Sequence, residues 1–417
     1  MYKKHAKECQ QIRQLLKEQS PCLVYSERIL LDQCKAIVGP ISALAKGQVF
    51  FPVKASYEPA LLRLMANSGI SGFEVMSLTE LKHVQHLFRD QYPIIYSGLV
   101  PCSDVLKRLD TSKDLLVVNS LFDAIAVCQF QPPTKGSRYN ILLRISFPSL
   151  DSSIKYNGIN SKLGVIAYSS EMYRCLDVLT QSDHVSVEGI HCHQLIHQAQ
   201  SLEYKKMIHM MAKLIRSLKE SHQLEVKLCD LGGGLESMES FNTKEVVTQI
   251  CDEFTTILPS QTLIFEPGRA LVNSCGICLS TITGRRSRTH LHHYFVNVGT
   301  NLLVPTDSKR YQLIQDWEFG QKNETKLPLK IEEKATLSDG ILSPVNTIVD
   351  DISLSKPLAI SEQVLIGNCG AYTASLEHQW SQPLISVFLL TKENQIINIY
   401  QRAEANQHWK TRLETSL

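Results

Sequence analysis

With 417 residues, 43% hydrophobic and 20% charged, the chain can bury a large core and divide into two domains. A formal net charge of +2 gives no reason to expect a nucleic-acid or membrane partner, and no apolar run is long enough to span a bilayer. The basic start, Met1 to Lys7, lacks an apolar segment, so no secretory signal is read there and a cytoplasmic location is expected.

Residues 3–19 read as a polar helix and 22–26 as a short strand. Helices and strands then alternate: helix 30–44, strand 49–53, helix 59–67, strand 72–75, helix 78–88, strand 94–97, helix 104–109, strand 115–119, helix 121–130 and strand 141–145. A loop with Gly158 and Gly164 follows, then helix 170–179, strand 185–191, helix 202–221, strand 226–231, helix 244–258 and strand 263–265. Apolar strands of about five residues between helices predict a parallel sheet buried on both faces. About eight such units in about 240 residues fit a closed (β/α)8 barrel, with an open doubly wound sheet as the alternative. After Arg269 the rhythm changes to alternating segments at 271–283, 292–297, 336–337, 363–366, 384–390 and 395–401, separated by Pro, Gly and Asp turns. These predict an antiparallel β domain that strand 22–26 joins. The predicted division is a barrel over 27–266 and a β domain built from 1–26 and 267–417.

Chemistry-bearing residues fall at predicted strand ends. Lys54 closes the apolar run 50–53, where a lysine is costly unless it is used. An amine that forms a Schiff base with a carbonyl, most often pyridoxal 5′-phosphate (PLP), is one use; a side chain that leaves the strand for water is the other. Gly232, Gly233 and Gly234 follow Asp230-Leu231 and read as a backbone nest for phosphate or as a plain tight turn. Glu266 can sit beneath a pyridine ring and keep its nitrogen protonated, with Gly268 and Arg269 adding phosphate contacts; a surface turn with a salt bridge is the alternative. His191 and His193 point the same way on an alternating strand, and one imidazole can stack on a flat cofactor. Arg144 is a charge in an apolar strand and requires an anionic partner. Tyr372, on the Gly-flanked turn 367–373, offers a phenol to a phosphate oxygen or is a core residue.

Twelve cysteines lie scattered without framework spacing, as buried free thiols of a reducing compartment do. Cys275-Gly276-Ile277-Cys278 is a single CxxC. A zinc site there would need a second ligand pair, for which His290, His292 and His293 are near in sequence. The alternative is two small residues in a strand, and no metal site is assigned.

Eight segments in order resemble the fold-type III PLP decarboxylases, the ornithine and diaminopimelate decarboxylase family: PVKAS, GFEVMSLTEL, LLRIS, SKLGV, GIHCHQ, DLGGGL, FEPGRAL and GNCGAYT, within residues 21–390. The resemblance implies an alanine racemase-like (β/α)8 barrel with a C-terminal β domain. It implies PLP held on Lys54 as an internal aldimine, His193 stacked on the ring, Glu266 at the ring nitrogen, and Arg144 supporting Glu266 or the ring. It places the phosphate on Gly232, Gly233, Gly234, Gly268, Arg269 and Tyr372. It also implies a homodimer whose active sites take residues from both chains.

The sequence departs from the family where a Cys and an acid are usual: Ser343 stands in the Cys position, with Pro344 and Thr347 where acids would read a diamine or diaminopimelate. Neither ornithine nor diaminopimelate is therefore the expected substrate. Ser343 or Cys369 is left as the proton donor, and Ile196 replaces a Ser usual near the phosphate. HCHQLIHQAQSLEY, VGTNLLVP and ASLEHQWSQPLISVFLL look closer to the branch found in carboxylate-siderophore pathways, which decarboxylates an amino acid joined to a citrate-like acid. His378, Lys309 and Arg310 are its candidate carboxylate readers, in or near the specificity loops 303–320 and 340–351. A PLP-dependent amino-acid racemase on the same fold and a catalytically altered binding homologue are the alternatives.

Overall fold

The computed structural model describes residues 2, 4–99, 101–150, 161–196, 200–236, 242–288, 291–304, 310–315, 333–341, 343, 346–354, 356–380 and 382–400. It resolves into two compact units, Gln33–Leu271 and Met1–Asp32 with Val272–Leu417.

The first unit is a closed barrel of eight parallel strands: Gly47–Pro52, Gly72–Val75, Ile94–Tyr96, Leu115–Val118, Tyr139–Ser146, Val185–His191, Leu228–Asp230 and Thr262–Phe265. The last pairs back with the first, Leu263 opposite Gly47, so no edge is left open. Most of these strands are buried along nearly their whole length, which explains their almost unbroken apolar sequence. Phe50, Ile95, Leu115, Val117, Leu142 and Ile264 pack together from five strands and fill the centre. Helix starts are fixed by side-chain caps. Ser77 accepts from Glu80 N while Glu80 reaches back to accept Met76 N, one residue before the cap, and Ser120, Ser169 and Asn242 cap three other helices. A two-residue strand, Val165–Ile166, adds to Tyr139–Ser146 outside the ring.

Lys54 is not on its strand. The strand stops at Pro52, whose missing N–H cannot continue the ladder, and Lys54 stands in the 3-10 turn Val53–Ala55.

The second unit is a nine-stranded mixed sheet rather than the antiparallel one expected. The long strand Gly276–Ser287 pairs antiparallel with Cys22–Ser26, His292–Val296 and Gln363–Gly367. Cys22–Ser26 runs parallel to Ser386–Leu390, and His292–Val296 parallel to Glu333–Asp339. Both parallel pairs join strands far apart in the chain, so no hairpin dictates their direction. The predicted strand 271–283 begins late: its apolar start forms the helix Gly268–Val272 and a 3-10 turn, Asn273–Cys275. A short apolar run carries no period that separates the two states. Thr347–Leu354 is a strand inside a stretch read as loop. A bulge opposite 335–337 and the positive φ of Asp351 break its alternation. The polar N-terminal helix is Ala6–Leu15, with Cys9 and Ile12 buried, followed by the 3-10 turn Lys17–Gln19.

Candidate active site

Consecutive barrel strands bring six ionisable side chains to their C-terminal ends: Lys54, Glu74, Arg144, His191, Asp230 and Glu266. Lys54 Nζ donates to Glu74 Oε1 at 3.1 Å, and Ser97 Oγ donates to the same carboxylate. Arg144 lies opposite His191 in register, and its Nη2 donates to the His193 carbonyl at 3.3 Å. His191 Nε2 lies 3.5 Å from Glu266 Oε2. His191, Asp230 and Glu266 present ligand-type atoms within 4.8 Å of one another.

Burial governs the charges. Glu74, Asp230 and Glu266 are at most 5% exposed. Desolvation raises the carboxyls of Asp230 and Glu266, while Lys54 and Arg144 pull Glu266 back down. Desolvation first and the Arg144 charge second hold both imidazoles well below their ordinary range, so His191 and His193 are neutral near pH 7. Glu266 Oε1 and Asp230 Oδ2 are buried and meet no donor among the described residues.

The glycine run lies beside these groups. Gly232 (φ +63°) and Gly234 (φ +97°) adopt backbone conformations that side chains rarely take. Two of the three amides are already engaged: Gly232 N donates to Asp230 Oδ1 and Gly233 N to His193 Nδ1, each at 2.8 Å. A nest using all three for phosphate does not match this arrangement. The Gly234 amide has no such partner among the described residues; Gly268 opens its short helix, and Arg269 beside it is half-buried.

In the mixed-sheet unit, Tyr372 is half-buried on a left-handed residue (φ +57°). Its turn is braced by Arg310, which donates to Ala371 O, to Thr373 Oγ1 and to Val304 O. Tyr2, wholly buried, takes Asn368 N on its hydroxyl at 2.7 Å. Arg310 is thus a 3% exposed brace rather than a reader of substrate carboxylates. Cys369 is fully buried, its Sγ donating to Ile366 O at 3.2 Å, and burial pushes the thiol up to about 12. That is the chemistry of a core thiol and does not suit a proton donor to substrate. Ser343 is half-buried, held through its backbone to Ile341 and Asn346. Its loop hangs on Asp339, which accepts from Thr300, Ile341 and Asn346. His378 is exposed, and its backbone exchanges hydrogen bonds with Asn301 at 2.9 Å. Lys309, Pro344 and His290 lie outside the described residues. Cys275 and Cys278 are buried, with thiols turned to carbonyls, while His292 meets Ser287 and His293 meets Thr336.

Residues 34–273 match the family model for the pyridoxal binding domain of pyridoxal-dependent decarboxylases. The chain belongs to that family. Diaminopimelate decarboxylase of Campylobacter jejuni is 26% identical over 381 residues, 86% of this chain and 87% of that protein. The chloroplastic ornithine decarboxylase of Nicotiana glauca is 26% identical over 359 residues, 82% of this chain and 76% of that protein. The arginine decarboxylase structure of Paramecium bursaria Chlorella virus superposes with a TM-score of 0.73 at 20% identity, over 92% of this chain and 99% of that one. This decarboxylase is a PLP-dependent carboxy-lyase on the barrel-plus-sheet fold.

The barrel of the decarboxylase fits PLP on its own terms. A buried carboxylate, Glu266, whose Oε1 meets no donor among the described residues, suits a protonated ring nitrogen. A lysine held at 3.1 Å from an acid suits an amine that must gain and lose a proton. Sequence reasoning left Glu74, Asp230 and the Glu266 contact of His191 unassigned. Glu74 carries the signal that exposed Arg144, a charge inside an apolar strand.

Proposed function

We propose that this decarboxylase removes CO2 from the amino-acid end of a larger, acid-bearing molecule, such as a citrate-linked diamino acid, with Lys54 as the covalent anchor of PLP. The observation that carries the cofactor half of this reading is the buried ring of Lys54, Glu74, Arg144, His191 and Glu266, with one carboxylate oxygen left for a cation. Bound PLP supplies an electron sink for the pair left behind as CO2 departs. Glu266 would face the ring nitrogen and keep it protonated, His193 would stack on the ring, and Arg144 steadies the His193 backbone and the charge of Glu266. Gly234, Gly268 and Arg269 would hold the phosphate. Lys54 Nζ, paired with Glu74, moves the proton to and from the reacting amine.

The substrate half draws on three segments that the mixed sheet ties together. Asn301 joins the 298–304 segment to the His378 loop, and Asp339 joins Thr300 to the Ser343 loop. His378 and Trp380 are exposed there, with ring centroids 6.4 Å apart. Thr347 in place of an acid speaks against a second free amino group on the substrate. The homodimer that the sequence resemblance implies is part of the same proposal. Twelve cysteines without disulfide partners support a cytoplasmic location.

The test is CO2 release from PLP-loaded protein offered diaminopimelate, ornithine, lysine, arginine and a citrate-linked diamino acid. Release from the conjugate at least about tenfold faster than from any free diamino acid is expected. Equal or faster release from a free one contradicts the conjugate reading, and no release from any of them contradicts the assigned reaction.

A further inference from the structure

The charges at the barrel's strand ends do not balance. Lys54 is paired with Glu74 at 3.1 Å, and His191 is neutral. Arg144 is then the cation left facing two buried acids, Asp230 and Glu266. Asp230 ends its strand wholly buried, between the strands that carry His191 and Glu266. One oxygen accepts Gly232 N at 2.8 Å, the other meets no donor among the described residues, and the side chain lies within hydrogen-bonding reach of Glu266. The groups around it are Glu266, Glu74, His191, Arg144 and the thiols of Cys192 and Cys229, both pushed up by burial. Glu266 feels both Lys54 and Arg144, whereas Asp230 forms no ion pair among the described residues. Two carboxyls this close in a dry site do not both ionise, and the one with weaker cationic support keeps the proton.

We propose that Asp230 is a neutral carboxylic acid that holds its proton toward Glu266, a positioning residue that leaves Glu266 as the single charged carboxylate for the ring nitrogen of PLP. The proposal rests on the reading of Glu266 given above. An O–H directed at Glu266 steadies that side chain without adding a second negative charge. The other Asp230 oxygen meanwhile fixes Gly232, the first residue of the glycine run.

The pH consequence has a definite sign. Folded Asp230 keeps a proton that the unfolded chain releases above roughly pH 4. Folded protein therefore binds more protons, and this group's contribution to stability falls as pH rises, until its folded carboxyl ionises. Asp230→Asn keeps an oxygen for Gly232 N and a donor for Glu266, and removes that slope.

Infrared difference spectra of protein carrying isotope-labelled aspartate, wild type minus Asp230→Asn, test the proposal. A protonated-carboxyl band that persists at pH 8 and disappears in the variant is expected. Asp230→Asn should also bind PLP within about threefold of wild type, and its advantage in melting temperature should widen from pH 5 to pH 8. Absence of the band, or a loss of PLP affinity of about tenfold or more in the variant, overturns the proposal. Glu266→Gln separates the two readings. If it binds PLP with the wild-type spectrum, the Glu266 reading fails while the infrared band still reports on Asp230.

Discussion

The barrel and the mixed sheet hold their functional residues by different physics. At the barrel's strand ends, ionisable groups stand in runs that are otherwise apolar, and they are held by one another: Lys54 by Glu74, and neutral His191 by Glu266. In the mixed sheet, the turn of Tyr372 and the loop of Ser343 are held by buried hydrogen bonds from Arg310, Tyr2 and Asp339 to backbone groups. Changes in the barrel should therefore act on the chemistry, and changes in the sheet on the order of its turns.

The largest effect is expected at Lys54. Lys54→Ala should lower CO2 release by on the order of 10³-fold or more, measured with saturating PLP, while the melting temperature stays near wild type. A fall of less than about tenfold would erase the distinction drawn for the barrel. Next is Glu266→Gln, which keeps the shape and removes the charge. A loss of about 10²-fold in kcat with little change in KM is expected, because the group acts on charge that develops during reaction.

Arg310→Ala probes the other side. It leaves the Ala371 carbonyl and the Thr373 hydroxyl without their partner, at about 1–3 kcal/mol for each buried group. Thermal denaturation should show that loss, together with weaker PLP binding. A variant of unchanged stability that is inactive would make Arg310 a substrate group after all. Smallest is Cys369→Ala, for which kcat within about threefold of wild type is expected, since the thiol is fully buried in the core and donates to the carbonyls of Ile366 and Gly367. A loss of about 10²-fold would restore Cys369 as a proton donor.

The same contrast sets what could be read from the sequence. Barrel strands announce themselves as apolar runs, and Arg144 and Glu266 stand out within or at the end of such runs. The closed ring and the placing of most elements follow from that rhythm. Lys54 moved off its strand only because Pro52 ends the ladder. The engagement of Gly232 and Gly233 by Asp230 and His193 has no local signature, since those contacts join residues brought together by strand pairing. The mixed sheet was harder. The bulge at Asp350 and Asp351 hid a strand, and Arg310 sat in a polar stretch where a buried brace looks like a surface charge. Tyr2, more than 360 residues from the turn it holds, carries no hint of that partner.

The central claim is that the barrel's strand-end ring holds PLP through Lys54. The absorption spectrum of purified protein with PLP, wild type against Lys54→Ala, tests it most directly. A visible band in wild type that red-shifts or fades on adding amine substrate, and is missing in Lys54→Ala, is the predicted result. The same band in both proteins, or in neither, would contradict it.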